Sequence, residues 1–251
     1  MTAFVFKIIA MISMTIDHCA AMFMLPKAFE IIGRLALPLY AFMIVDSYNH
    51  LKNDSRRLKK YIISIAVLAF VSEILFDFAY AGHLFYWDFQ NQLLQFLLVL
   101  LVFVATEKSS NTFLNVLLWI LAVLATFFLH LGYFGTDTLI MIVMKRYLDR
   151  RDKLTMNGRF FYSSLICLVF IVSSVIVNAL LSSSGFMESI KSTKWLSSVI
   201  IEYGIPSIAL LFFFALYNGE YGNPPRWFRI IYRYYYPAHI AILLLIMLCL
   251  M

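Results

Sequence analysis

Long apolar runs recur along the whole chain and are separated by short polar connections. Runs of about 18–22 residues are typical of helices that cross a ~30 Å hydrocarbon core. The pattern predicts nine spans, with bounds good to about 2–4 residues: roughly 4–24, 31–50, 61–80, 91–106, 113–130, 135–148, 160–181, 195–217 and 231–250. We therefore expect an all-α, polytopic transmembrane helical bundle, with residues 1–251 forming a single integral membrane domain.

Composition supports this class. Of the 251 residues, 63% are hydrophobic and only 14% are charged, whereas a soluble domain needs a mostly polar surface. The first run has no small-residue cleavage site and leads directly into further spans, so we interpret it as a retained helix and not as a signal peptide. The lipid bilayer is then the first predicted partner.

The net charge is +6, and the basic residues that produce it are distributed unevenly between the predicted connections. Sixteen Lys and Arg residues fall in one set of alternate connections, whereas the other set contains only Lys27, Lys191 and Lys194. By the positive-inside rule, this asymmetry predicts that the N-terminus is cytoplasmic. Because orientation accounts for the basic residues, we predict no nucleic-acid partner.

Several kinds of catalytic and metal site are excluded by the motifs. Cys19, Cys167 and Cys249 are isolated within apolar runs and have no metal-ligand spacing. The chain also lacks a Walker-type loop, an HExxH helix, a CxxC pair and a nucleophile elbow. We therefore predict no bound metal, and neither a metalloprotease nor an ATP-driven pump.

Ionisable residues inside the spans are the candidates for chemistry. Asp17 and His18 end the first run and Arg34 begins the second, with only the bend LPKAFE between them. A helical hairpin would bring the three together, and each costs about 2.5–3.5 kcal/mol to insert unless it faces a partner or a cavity. We rank Glu73, Asp77, Glu202 and His130 lower, since only their predicted depth in the membrane supports a functional role.

Two interpretations of this hairpin stay open. His18 suits general base catalysis, with the Asp17 carboxylate holding its tautomer, and Arg34 can stabilise a developing oxyanion. Consecutive helical residues nevertheless point about 100° apart. Asp17 and Arg34 also suit a structural ion pair, and Arg34 also suits a helix-end arginine that extends to the interface.

Five segments, in order along the chain, resemble the TraX family. They are Asp17-His18, GRLALPLYAF at 33–42, Asn91, YNGE at Tyr217–Glu220 and YYPAH at Tyr235–His239. The founding member of that family acetylates the N-terminus of a conjugative pilin in the bacterial inner membrane. The resemblance therefore implies an acetyltransferase of the bacterial cytoplasmic membrane, with acetyl-coenzyme A as the donor. Its acceptor would be a protein N-terminus or an envelope glycan or lipid.

The same resemblance implies roles for individual residues. His18 would be the base that Asp17 orients, and Arg34 with Asn91 would hold the acceptor or the oxyanion. Asp137 joins the acceptor side because the region equivalent to a D-Y-G element of the family reads LGYFGTDTLIMI; whether Asp137 replaces that Asp stays open. The predicted donor side comprises Tyr217, Asn218, Glu220, Arg226, Arg229 and His239.

Other interpretations remain beside the enzyme. The YNGE turn suits a helix C-cap as well as a donor site, because Gly tolerates the left-handed conformation. His239 suits a hydrogen-bonded core histidine. A small-solute secondary transporter and a non-enzymatic accessory protein of a conjugation or secretion system are the alternatives from other classes.

Overall fold

A computed structural model describes residues 1–250, which fold into eleven α-helices and no strand. The helices are α1 (Ala3–Phe23), α2 (Lys27–Gly33), α3 (Ala36–Leu51), α4 (Ser55–Ala81), α5 (Gln92–Lys108), α6 (Thr112–Phe128), α7 (Thr136–Arg150), α8 (Met156–Leu180), α9 (Phe186–Lys191), α10 (Thr193–Ala215) and α11 (Arg226–Leu250). One 3₁₀ turn, Arg151–Lys153, follows α7. The predicted all-α class is confirmed.

Six segments are long and apolar enough to cross a membrane: α1, Lys27–Leu51 (α2 with α3), α4, α8, α10 and α11. The other three predicted spans correspond to α5, α6 and α7, which contain 17, 17 and 15 residues. About 20 residues are needed to cross the hydrocarbon core, so these three are short for full crossings. The chain is a helical membrane protein, and the count of nine spans stays a prediction.

The chain forms two compact units, each made of two segments. The first unit contains Met1–Met43 and Leu139–Asn223. The second contains Ile44–Thr138 and residues 224–250. The single membrane domain expected from the sequence stays a prediction.

Aromatic side chains fill the core of the first unit. The ring of Phe42 stacks on Phe214 with centroids 4.7 Å apart and meets Tyr217 edge-on at 5.0 Å. Phe6 of α1 packs on Phe42 at 5.4 Å. The fully buried Tyr147 donates its hydroxyl to the Phe214 carbonyl over 2.7 Å, near the end of α10. Its polar tip is thereby satisfied inside an apolar core.

The second predicted span is broken between α2 and α3, and the sequence explains the position. Pro38 has no N–H to donate to the carbonyl of Arg34, so the helix is weakened at this turn. Gly33, the last residue of α2, is buried against Asp17 of α1: a Cβ placed on it would lie 2.7 Å from the Asp17 Cα. Arg34 therefore lies on the turn between the two helices.

The YNGE turn caps the start of α1. The backbone N–H groups of Ala3 and Phe4 donate to the carbonyls of Glu220 and Tyr221 over 2.8 and 3.1 Å. The first N–H groups of any helix have no partner within it, so these carbonyls stabilise α1. Gly219 permits the turn because its φ is +77°.

The second unit is organised around α4, which packs against α5 and α11, while α5 also packs against α6. The segments before α5 and after α6 meet at an isolated bridge between Gln90 and Leu131. Tyr48 stacks on Phe103 of α5 at 5.2 Å and donates its hydroxyl to Glu107 over 2.6 Å. The bridge thus lies next to the start of α5, where Asn91 is the N-cap, and the Tyr48 contacts lie near the end of α5.

We expect Gly33→Ala to lower the free energy of unfolding by about 1–3 kcal/mol, because the new methyl group would collide with the α1 backbone. Gly204→Ala is the matched control. A Cβ there lies 3.9 Å from Ile200 Cγ2, and the helical Gly→Ala change is neutral or stabilising by up to ~1 kcal/mol. Denaturant unfolding in detergent measures both; equal effects would contradict the close α1–α2 contact.

Candidate functional site

Arg34 is held between two carboxylates of the first unit. Its Nε donates to Glu202 Oε1 over 2.8 Å, and its Nη2 lies 2.7 Å from the same oxygen. Its Nη1 donates to Asp17 Oδ1 over 3.4 Å. The side chains of Asp17, Arg34 and Glu202 are only 20%, 18% and 10% exposed. The structure therefore brings Asp17 and Arg34 together, and adds Glu202 as the nearer partner.

Lys27 and Glu30 of α2 complete the arrangement. Lys27 Nζ lies 2.6 Å from Glu202 Oε2 and 2.8 Å from Glu30 Oε2. We call the five residues Asp17, Lys27, Glu30, Arg34 and Glu202 the Arg34 cluster. Three carboxylates against two cations give it a formal charge of −1 when all are ionised. It joins α1, α2 and α10 by charge-assisted hydrogen bonds.

The aromatic ring of Tyr203 lies beside Arg34 in the Arg34 cluster. The guanidinium carbon of Arg34 stands 5.6 Å from the ring centroid of Tyr203, which is buried. Asn178 of α8 donates to the Tyr203 hydroxyl over 3.3 Å. A planar guanidinium stacks well on such a ring, so Tyr203 restricts the position of Arg34.

His18 is half-buried and lies one position beyond Asp17 on α1. Asp17 directs Oδ1 to Arg34, and consecutive helical side chains diverge by about 100°. The structural alternative for Asp17 and Arg34, an ion pair, is thus observed. The role of His18 as a base stays a prediction.

Lys27 and Tyr203 were not selected from the sequence, and Glu202 was ranked low. Glu202 carried a usable signal, because it is an acid near the middle of an otherwise apolar helix. Such a residue needs a partner within the protein. Lys27 appeared only as part of a connecting bend, and nothing in the sequence linked either residue to Arg34.

Asn91 caps α5 in the second unit. Its Oδ1 accepts from the Leu93 N–H over 2.9 Å, and its Nδ2 donates to the Ala69 carbonyl over 2.9 Å and to Glu73. The Asn91 backbone N–H also donates to Glu73, over 3.0 Å. Both ends of the Asn91 amide are therefore occupied by α4 and α5. This arrangement ties the two helices together.

Asp137 lies fully buried in the first turn of α7, also in the second unit. It accepts a hydrogen bond from Gln92 Nε2, while its Oδ1 has no hydrogen-bond partner within residues 1–250. The adjacent Gln95 accepts from the Tyr133 N–H over 3.2 Å and donates to Thr138 over 3.4 Å. Sequence reasoning missed Gln92 and Gln95, whose signal was two amides on one face of an apolar helix.

The predicted donor residues are divided between the units. Tyr217 is fully buried among aromatic rings, and Asn218 Nδ2 donates to Glu220 Oε2 over 2.9 Å within the turn. Tyr217, Asn218 and Glu220 all belong to the first unit. These contacts are those of a structural turn at the end of a helix. The role of YNGE in binding the acyl donor stays a prediction.

The remaining donor candidates lie on α11 in the second unit. Arg226 and Arg229 are exposed in its first turns, directly after Pro224-Pro225. His239 is buried, with Nδ1 2.9 Å from the Tyr235 carbonyl and its ring stacked on Tyr235 at 5.2 Å. These contacts suit a core histidine, and a role for it in donor binding stays a prediction.

Comparison with known proteins gives one family and one curated relative. The family model described as TraX protein matches residues 3–247, nearly the whole chain. The Probable fimbrial assembly protein FimC, serogroup H1, of Dichelobacter nodosus is 33% identical over 66 residues. That match covers 24% of this chain and 27% of the relative, so it spans about a quarter of each protein. No solved structure matches the chain.

Glu202→Gln should destabilise the protein by about 3 kcal/mol, because it removes the nearer carboxylate of Arg34 and one of the two carboxylates of Lys27 from a partly buried ion-pair network. Glu188→Gln is the control, since Glu188 is exposed and surface changes stay within ~0.5 kcal/mol. Unfolding in detergent compares the two. Equal stability of both variants would show that the Arg34 cluster contributes little to the fold.

Asn91 and Asn111 form a second matched pair, because both cap helices but only Asn91 is buried. Asn111→Ala should cost ~1 kcal/mol, the ordinary loss of an N-cap. Asn91→Ala should cost about 1–3 kcal/mol more, since it also leaves Glu73 and the Ala69 carbonyl without a donor. Unfolding free energies measure the difference, and equal losses would contradict the buried network.

Proposed function

The chain belongs to the TraX family, and from that premise we propose that it is an integral membrane acyltransferase. It transfers an acetyl group from cytoplasmic acetyl-coenzyme A to an amine or hydroxyl of an acceptor at the outer side of the membrane. The observation that carries the proposal is the Arg34 cluster with the adjacent His18. Ionisable groups inside apolar helices are costly and usually mark functional sites.

In the proposed reaction, the His18 imidazole accepts a proton from the acceptor amine or hydroxyl. The acceptor attacks the thioester carbonyl, the carbon–sulfur bond breaks, and the proton from His18 passes to the departing thiolate of coenzyme A. Arg34 acts mainly as a positioning residue, because Asp17 and Glu202 already engage its guanidinium. Arg34 holds the Asp17 side chain in place, and this contact positions the part of α1 that carries His18.

Asn91 and Asp137 are proposed to serve the acceptor within the second unit. Asn91 does so through the backbone geometry that it imposes on α5, since its side-chain amide is occupied. Asp137 keeps one carboxyl oxygen without a hydrogen-bond partner among residues 1–250, which leaves it able to contact a substrate group.

We propose nine crossings of the bacterial cytoplasmic membrane with the N-terminus inside. The charge asymmetry of sixteen against three supports this topology. It requires α5, α6 and α7 to cross as short helices, which local thinning of the bilayer accommodates at modest cost. Cysteine labelling from either side of the membrane would test it.

A non-enzymatic role in pilus assembly is the second candidate. The printed name of the FimC relative, a fimbrial assembly protein, favours a pilus context for this chain. The complete ion pairing of Arg34 also suits a purely structural network. In either case we propose that the acceptor or partner is a pilus-type protein or another envelope component.

Acetyl transfer by purified protein in liposomes tests the enzyme directly. Labelled acetyl-coenzyme A is supplied with candidate amine and hydroxyl acceptors, and both coenzyme A release and labelled acceptor are followed. We expect His18→Ala to lower turnover by about 10²–10⁴-fold, the usual contribution of a general base. His83→Ala, in the exposed loop after α4, should match wild type.

Folded yield separates the possible results. Loss of turnover in a well-folded His18→Ala protein supports the acyltransferase. Retained turnover in that variant would remove His18 from the mechanism. If wild type transfers no acetyl group to any acceptor but is needed for pilus assembly, the non-enzymatic role replaces the enzyme; solute uptake without a covalent product would indicate a transporter.

A further inference from the structure

Arg151 occupies an unusual position in the first unit, and the predicted donor set did not include it. Its guanidinium carbon stands 5.3 Å from the ring centroid of the fully buried Tyr217. It also lies directly against Gly219, where an added Cβ would overlap the guanidinium. The side chain is only 13% exposed. The Arg151 side chain is therefore largely buried and packs against the YNGE turn.

A second arginine of the first unit has unused hydrogen-bonding capacity. The Nε of Arg159 is buried and has no hydrogen-bond partner within residues 1–250. Arg159 lies in the first turn of α8, one helical turn before Tyr162. Close by, Arg150 donates to the Tyr162 hydroxyl over 3.0 Å, and Tyr162 packs on Tyr147 at 5.9 Å.

The charge of this region is unbalanced. Residues 145–159 contain six basic residues and two acidic ones, a formal charge of +4. Asp149 is paired with Lys145 over 2.7 Å. Asp152 pairs with Arg151 at 2.7 Å, and the Asp152 side chain is 83% exposed. An exposed pair between neighbouring residues contributes little stability, so an incoming anion can displace Asp152.

Membrane topology alone does not explain this arrangement. The positive-inside rule requires basic residues in a connection, and exposed ones such as Arg146 satisfy it. It does not require a guanidinium that is packed between a tyrosine ring and a glycine. Arginine presents planar, paired donors that match phosphate oxygens, and stacking on an aromatic ring fixes their direction.

We propose that Arg151 and Arg159 form a phosphate-binding site beside the YNGE turn. The ligand is a phosphate monoester or diphosphate, which the nucleotide end of coenzyme A would supply. This assignment rests on the proposed function, and it replaces the exposed arginines of α11 as the principal phosphate contacts. An anionic lipid headgroup presents the same chemistry and is the other source to be distinguished.

Binding to the full chain in phosphatidylcholine nanodiscs tests the site without requiring turnover. The probes are coenzyme A and 3′,5′-ADP, measured by calorimetry. We expect Arg151→Gln and Arg159→Gln each to raise the dissociation constants by about tenfold or more, since each removes a charge-assisted phosphate contact. Arg146→Gln should change them less than about twofold. Asp152→Asn should tighten binding, because it removes the competing carboxylate.

Each result bears on the site separately from the acetyl-transfer activity. Unchanged binding by a folded Arg151→Gln protein overturns the site even if acetyl transfer is active. Arg151-dependent binding of 3′,5′-ADP without any acetyl transfer supports the site and refutes the acyltransferase. Arg151-dependent retention of phosphatidylglycerol, with no binding of either soluble probe, keeps a phosphate site but overturns its assignment to the donor. No binding of any phosphate compound by wild type overturns the site.

Discussion

The cost of placing charge inside apolar helices is the constraint on which the first unit depends. Arg34 sits on the turn between α2 and α3, where an unpaired guanidinium would be strongly unfavourable. Glu202, which lies 168 positions further along the chain, and Asp17 compensate it. Because an ion pair with desolvated members is stable only when its geometry is good, this requirement also fixes how α1, α2 and α10 approach one another. Gly33 permits that approach by omitting a side chain where α1 passes.

The second unit meets the same constraint with neutral partners. Near the start of α5, two of its carboxylates accept from amides, Glu73 from Asn91 and Asp137 from Gln92, whereas Glu107 at the other end of α5 pairs with Lys52. Hydrogen bonds from amides satisfy a buried acid without adding a second charge that must also be desolvated. The consequence is a polar interior near the first turn of α5 that is rich in acceptors. The Arg34 cluster and the start of α5 thus offer different chemistry, one ionic and one amide-rich.

The turn after α10 connects structure with the proposed donor chemistry. Its carbonyls cap α1, its Tyr217 fills the aromatic core and its Gly219 admits Arg151. A turn that carries so many contacts is held rigidly, and a rigid support is what keeps a guanidinium directed at a ligand. The same residues can therefore be structural and functional, so the turn interpretation of YNGE does not exclude a donor site beneath it.

The sequence by itself determined the helical class, the approximate helix positions, the weak point at Pro38 and the closeness of Asp17 to Arg34, but it left open whether these two side chains form an ion pair. These features depend on local causes: the lengths of apolar runs, the missing N–H of proline and a short bend that returns the chain on itself. Family membership was likewise readable from short ordered segments. Only the tertiary structure decided that Glu202 and Lys27 join Arg34, that Gln92 reaches Asp137 and that Arg151 packs under Tyr217. Hydrophobic pattern identifies which residues are helical and which faces are apolar, but many helices in this chain share the same pattern. Which of them become neighbours depends on the packing of the complete unit, where distant charges find their partners.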